Sequence, residues 1–429
     1  MGGGTGPAKK RNEDDMSGEN FSNTVGSERG AEIFGGADRA PRHPRPQMTI
    51  KEAARETAVF AETDVLVVGG GIAGMATAYY LAKAGIASTV IERDGLASHA
   101  SGFAYGGLSG GIPNGPEPNQ PVIRHSMALF KELAVELPTQ TDVDIQYQVR
   151  PALKIALTDD EAGALAQHLD WQQAQPGYRV TSLDHDQVLA LEPRINPNVV
   201  AGMHIEGGAD VEPYRLTLAL AQAAEKMGVV IRTGNVVGLY HHGSRMRAVA
   251  LDGQEIPAET IVLAMGPWSG AATEWTGVNV PVRPLKGQII RLQAPGDPYR
   301  FSVGHLKHYA MTKPADGYVW CGTTEEEAGF DESKTTASRD AIIDSTVLML
   351  PSLADADLAL QTACLRPVTP DNVLMLGAMP GIDGLYIATG GGRQGIMMGP
   401  GMGKITADLV AGVDPGVDLA AYDPGRFTA

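Results

Sequence analysis

Cysteine is scarce in this 429-residue chain, which has only Cys321 and Cys364. Two thiols are too few for a disulfide framework, and they are not spaced as a metal site, so any role they have is individual. Long apolar runs are also missing. None approaches the roughly 18 residues that span a bilayer, and the N-terminus lacks the apolar core of a secretory signal. Basic charge is short too: 34 Lys and Arg stand against 50 Asp and Glu, a formal net charge of −16. That balance argues against nucleic acid or an anionic membrane as a partner. These deficits together predict a soluble protein in the cytoplasm. No Ser-His-Asp or Cys-His arrangement for nucleophilic catalysis is recognisable. His241-His242 and His305 with His308 lack a nearby cysteine or a completed ligand set, so no metal site is expected.

What is present is organised for two domains, the natural expectation at this length, one of them discontinuous. Residues 1–47 are rich in Gly, Pro, Ser and Asn and read as disordered. Met48 begins a helix-compatible segment and could be a natural start. Asp64-Val65-Leu66-Val67-Val68 is a β-branched run without polar alternation, as expected of a strand buried on both faces of a parallel sheet. A helix over Met75–Ala84 and a strand at Ser88–Glu92 complete a βαβ unit. A second such region runs from a helix at Arg215–Met227 through Val229-Val230-Ile231 to Ile261–Ala264. A third piece pairs a strand at Gly384–Gly390 with a helix at Gly403–Val410. The alternating patterns of Tyr147–Ile205 and Val282–Ala363 read as antiparallel.

The strongest motif is Gly69-Gly70-Gly71-Ile72-Ala73-Gly74, a G-x-G-x-x-G between strand and helix. Gly69 permits the tight turn, Gly71 lets the backbone approach a pyrophosphate, and Gly74 allows close packing of helix on strand. The helix N-terminus, at Ile72 and Ala73, favours the phosphates. Glu92, 21 residues after Gly71, ends the second strand where an acid binds ribose hydroxyls, with Arg93 beside it. Strand, helix and acid agree on a dinucleotide site, although the motif alone does not separate FAD from NAD.

With four further segments the sequence resembles the D-amino acid oxidase superfamily of flavoproteins, and its glycine oxidase-like branch in particular. Ala97–Gly107, with Ser101, Gly106 and Gly107, is similar to the loop running along the flavin, although His99, Phe103 and Ala104 depart from the commoner residues. Asn235-Val236-Val237 lies where the family holds adenine by its backbone, and Gly266 sits in the strand-end turn near the cofactor. Ala388–Ile396, containing Gly391, Gly392, Gln394, Gly395 and Ile396, resembles the C-terminal flavin motif. The resemblance implies FAD as cofactor and an α/β fold. A Rossmann-like FAD-binding domain would comprise 61–145, 206–281 and 363–429, and a mainly antiparallel substrate domain 146–205 and 282–362, after an N-terminal extension over 1–60.

The resemblance also implies a substrate site. Ala363–Asp371 is similar to the segment in which the family places the arginine that binds the substrate carboxylate, which makes Arg366 the anchor, through two parallel charge-assisted hydrogen bonds. Tyr309 matches a tyrosine facing the flavin and Arg393 an arginine near the substrate. Glu325 stands where glycine oxidases tend to be apolar; a solvated acidic loop is the favoured reading there. Cys364, Thr369, Pro370 and Asp371 share the spacing of relatives that attach flavin to cysteine, whereas Leu365-Arg366-Pro367 follows the branch with non-covalent flavin, and the non-covalent reading is preferred. The implied activity is FAD-dependent oxidation of the C–N bond of a small amino acid or N-substituted amino acid to an imine or 2-oxo acid, with oxygen or another electron acceptor. The alternative is the flavoprotein subunit of a hetero-oligomeric opine, hydroxyproline or sarcosine dehydrogenase; homo- or hetero-oligomers are both compatible.

Overall fold

The computed structural model describes residue 1 and residues 63–242, 245–250 and 253–428. The expectations of a disordered extension over residues 1–60 and of a start at Met48 fall outside the described residues. The architecture lies in the compact unit Ala58–Ala429.

The buried run Thr63–Val68 forms a strand in the middle of an eight-stranded sheet. It pairs in parallel with Ser88–Glu92 on one side and Glu255–Leu263 on the other, which is why neither face of it is polar. Val230–Thr233 and Leu385–Thr389 extend the parallel part, and Val236–His242, Arg245–Ala250 and Met375–Ala378 add antiparallel strands. Four helices pack together beside this sheet: α1 (Ile72–Lys83), α2 (Gln120–Gln140), α3 (Pro213–Lys226) and α4 (Gly395–Val410). Met75, Tyr79, Phe130, Leu133, Leu220 and Ile405 are among the side chains that fill the core they share.

α4 corrects one expectation. It begins at Gly395, eight residues before the start expected at Gly403, and carries Pro400 inside it. A proline in a helix interior removes one backbone donor and crowds the preceding turn. Here the small residues around it offset that cost, because they let α4 approach its neighbours closely. A Cβ at Gly403 would overlap Ala76 of α1, and the N–H of Gly401 donates to Ser126 Oγ of α2 at 3.0 Å.

The second eight-stranded sheet runs in the order Asp357–Val368, Arg283–Gln293, Val319–Gly322, His308–Thr312, Ser302–His305, Ala152–Ala156, Ala201–Glu206 and Arg179–Asp184. All neighbours are antiparallel except Ser302–His305 with Ala152–Ala156. Asp357–Val368 continues past the boundary expected at residue 362, since its pairing with Arg283–Gln293 persists to Val368 across one bulge. Arg366 therefore sits on the antiparallel sheet. No helix among the described residues is long and apolar enough to cross a membrane.

Candidate active site

One cavity of about 1230 Å³ runs from the glycine-rich turn after Thr63–Val68 to the antiparallel sheet. It exceeds the roughly 300–1,000 Å³ of most small-molecule sites, as a dinucleotide together with a substrate requires.

At the dinucleotide end, Gly69, Gly71, Ile72 and Ala73 line the cavity where α1 begins. Ser101 Oγ accepts the Ile72 N–H at 3.0 Å, while the N–H groups of Gly71 and Ala73 have no acceptor among the described residues. The helix therefore presents free donors and the positive end of its dipole to the cavity. Gly74 does not reach the wall. A Cβ there would run into the carbonyl oxygen of Gly69, so this glycine serves the packing of α1 on the strand. The Glu92 carboxylate is fixed by the N–H groups of Gly70 (2.6 Å) and Asp94 (2.9 Å). Arg93 lies over the Trp268 ring, 4.4 Å from its centroid, and pairs with Asp94 at 2.8 Å. His99, unusual for its position, joins this cluster through Asp94, Glu332 and a ring contact with Trp268.

Gly106, Gly107 and Val236 also line the cavity, as do Gly266, Gly391, Gly392, Gln394, Gly395 and Ile396. A Cβ on Gly266 or Gly395 would meet no atom within 4 Å and would stand in open space. These residues fit FAD: free N–H groups at the start of α1, an oriented acid at Glu92, and glycines that leave room at the start of α4. Gln394 donates to Glu117 Oε1 at 2.7 Å. Burial pushes the Glu117 carboxyl above its usual range, and the bond from Gln394 opposes that rise.

At the far end a row of paired residues crosses the antiparallel sheet: Thr362, Ile289, Gly322, Tyr309, Gly304 and Lys154. All but Gly322 line the cavity. The two glycines clear space on either side of Tyr309; a Cβ on Gly322 would lie 2.5 Å from the Tyr309 hydroxyl oxygen. That hydroxyl has no hydrogen-bond partner among the described residues, and burial raises its pKa while Arg366 and Arg393 pull it down. The Arg366 guanidinium lies against Gly287, where a Cβ would overlap it. It donates to the Thr324 carbonyl at 3.0 Å and to Thr323 Oγ1 at 2.6 Å. Two of its five donors are thus fixed, and the others can meet a carboxylate.

Arg393, whose match implies a place near the substrate, lies on the cavity wall. It donates to the Lys307 carbonyl at 2.9 Å and pairs with Glu325 at 3.3 Å, the two side chains being 42 % and 31 % exposed. Glu325 lies on an exposed loop, in keeping with the favoured reading of a solvated acidic stretch, and it also lines the cavity with Arg393 as its cationic partner. The sequence reading also passed over Glu117 and Lys154. A signal for Lys154 existed, because a lone cation interrupts the apolar strand Ala152-Leu153-Lys154-Ile155-Ala156. The side chains of His241 and His242 fall outside what is described, and no group of three or more potential ligands for a metal occurs among the described residues.

Comparisons with known proteins bear on the family and the fold. Glycine oxidase of Pseudomonas aeruginosa is 30 % identical over 368 residues, which cover 85 % of this chain and 99 % of that enzyme. The crystal structure of glycine oxidase from Geobacillus kaustophilus superposes with a TM-score of 0.81 at 28 % identity, covering 85 % of this chain and 99 % of that one. Iminodiacetate oxidase from a Chelativorans species superposes with a TM-score of 0.78 at 27 % identity, covering 84 % and 98 %. The model of the DAO family, FAD dependent oxidoreductase, matches residues 64–409, a span that takes in both sheets and the cavity, and this chain belongs to that family.

Proposed function

We propose that this enzyme oxidises the C–N bond of a small amine that carries a carboxylate, in the manner its relatives' names describe. The observation that carries this reading is Arg366, a guanidinium fixed by Thr323 and Thr324 on the cavity wall with donors to spare. Such a group recognises a carboxylate in position and in orientation. The Tyr309 hydroxyl, open to the same space between two glycines, adds a donor to that carboxylate. FAD held in this cavity would supply the acceptor for the hydride of the α-carbon. The chain's own part is to hold the carboxylate so that this hydrogen faces the ring, and to keep bulk water out with the apolar wall around Ile289 and Met311. In this reading Gly69, Gly71, Ile72, Ala73, Glu92 and Val236 hold the adenosine and pyrophosphate, Gly391 to Ile396 meet the ring system, and Arg393 shapes the substrate's entry. The segments 61–145, 206–281 and 363–429 then form the cofactor domain, except that the strand through Val368 belongs with the substrate sheet.

An anaerobic screen of the flavin-loaded protein tests the reading. Glycine, sarcosine, D-alanine and proline are added in turn, and at least one amino acid is expected to bleach the flavin band. Bleaching by primary amines without a carboxylate, and by no amino acid, would refute it.

A further inference from the structure

Six lysine and arginine side chains line the cavity, and three of them already have a carboxylate partner. Arg93 pairs with Asp94, Arg150 with Asp210 at 2.5 Å, and Arg393 with Glu325. Lys307 is exposed to solvent. Arg366 is the anchor described above. Lys154 remains: it is half-buried and its ammonium reaches only the Pro113 carbonyl, at 3.3 Å. No carboxylate partners it among the described residues. A cation removed from water without a counter-charge is costly, so an unpaired one in a ligand cavity implies that the ligand supplies the charge.

Its position says which part of the ligand that is. Lys154 is the last cavity-lining residue of the row that holds Tyr309, two strands away through Gly304, whose missing side chain leaves the path between them open. From Val319–Gly322, after which Thr323 holds the guanidinium of Arg366, to the strand of Lys154 is three strand spacings, about 14 Å, before the Lys154 side chain reaches inward. The remaining gap suits one small molecule with an anionic group at each end. Burial and the like charge of Arg393 both lower the Lys154 pKa, and an arriving anion would relieve both effects.

The geometry points to Lys154 as a second anion-binding residue, making the substrate an amino dicarboxylate whose distal carboxylate meets Lys154 while Arg366 holds the one beside the reacting carbon. This rests on the proposed amine oxidation only for the word substrate; the two-anion site stands on the cavity itself. Binding and turnover are therefore measured separately on the flavin-loaded protein.

Succinate and butyrate, which carry no amine, are titrated against the flavin absorption spectrum of wild-type, Lys154→Met and Lys154→Gln proteins. Succinate is expected to bind wild type at least tenfold more tightly than butyrate, with the ratio falling toward one in both variants and partly retained in Lys154→Arg. In parallel, kcat/KM is compared for iminodiacetate against sarcosine and for D-aspartate against D-alanine, and the same loss of dicarboxylate preference is expected. Equal affinities of the two acids in wild type, or a ratio unmoved in the variants, overturns the inference even if amino acids bleach the flavin. Affinities and flavin content that fall together for both acids would show that Lys154 serves the cofactor, and would overturn it as well. A Lys154-dependent succinate preference with no amine oxidised would leave the two-anion site standing and defeat the oxidation reading.

Discussion

Two threonines decide what Arg366 can do. Thr323 Oγ1 and the Thr324 carbonyl take one donor from each terminal nitrogen, so the plane of the guanidinium is set before a ligand arrives. A lysine at this position keeps the charge and loses the plane. Arg366→Lys is therefore expected to lower kcat/KM on the best amino-acid substrate at least tenfold, about 1.4 kcal/mol, and Arg366→Ala further, with flavin content unchanged. Wild-type kcat/KM in the alanine variant would place the anchor elsewhere. Cys364, two residues earlier, also lines the cavity. Burial raises its thiol pKa, and the adjacent Arg366 charge only partly opposes this. Because the thiolate is the reactive form, a protonated thiol favours non-covalent flavin. Precipitating the protein in acid should leave the yellow colour in the supernatant; colour retained in the pellet and lost in Cys364→Ser would reverse the assignment.

Elements were legible where a short pattern had a single physical reading. The β-branched run Asp64–Val68 had to be a buried strand, and the acid at Glu92 had to close the next one, because both patterns are local. The long helix Gln120–Gln140 was not anticipated: its apolar face, with Val122, Leu129 and Leu133, meets α4, some 270 residues later in the chain. The first half of α4 was illegible for the same reason. Gly395, Gly399, Pro400 and Gly401 read locally as a turn; in the folded chain they are helical, and Gly399 and Gly401 let that helix seat against Ile72 and Ser126, which leave no room there for a Cβ. The residues of the substrate end divide similarly. Arg366 stood in a recognisable segment, whereas Lys154 acquires its meaning from cross-strand register, which links it to Tyr309 through Gly304 and is invisible in one strand alone.

At the scale of the whole molecule, the cavity is walled by residues far apart in sequence, from Gly69 to Met402, and by both large sheets. FAD bound there would touch the start of α1, the Ala97–Gly107 loop, Val236 and the start of α4 together. A ligand that binds the folded chain and not the unfolded one stabilises it by mass action, about 2.7 kcal/mol at a free concentration a hundredfold above its Kd. The shift per kcal/mol falls with chain length, from roughly 2–4 °C at 150–250 residues, so for a chain of this size that corresponds to a rise in Tm of about 3 °C. The flavin-stripped protein is therefore expected to melt a few degrees lower than the FAD-loaded protein, and to recover on adding FAD but not riboflavin, which lacks the pyrophosphate that the proposed reading puts at the start of α1. Gly71→Val, which places a branched side chain where the backbone should approach that pyrophosphate, should purify pale and lose most of the shift. Stripped and loaded proteins that melt together, or a fully yellow Gly71→Val protein, would mean that the flavin does not hold these four segments to one another.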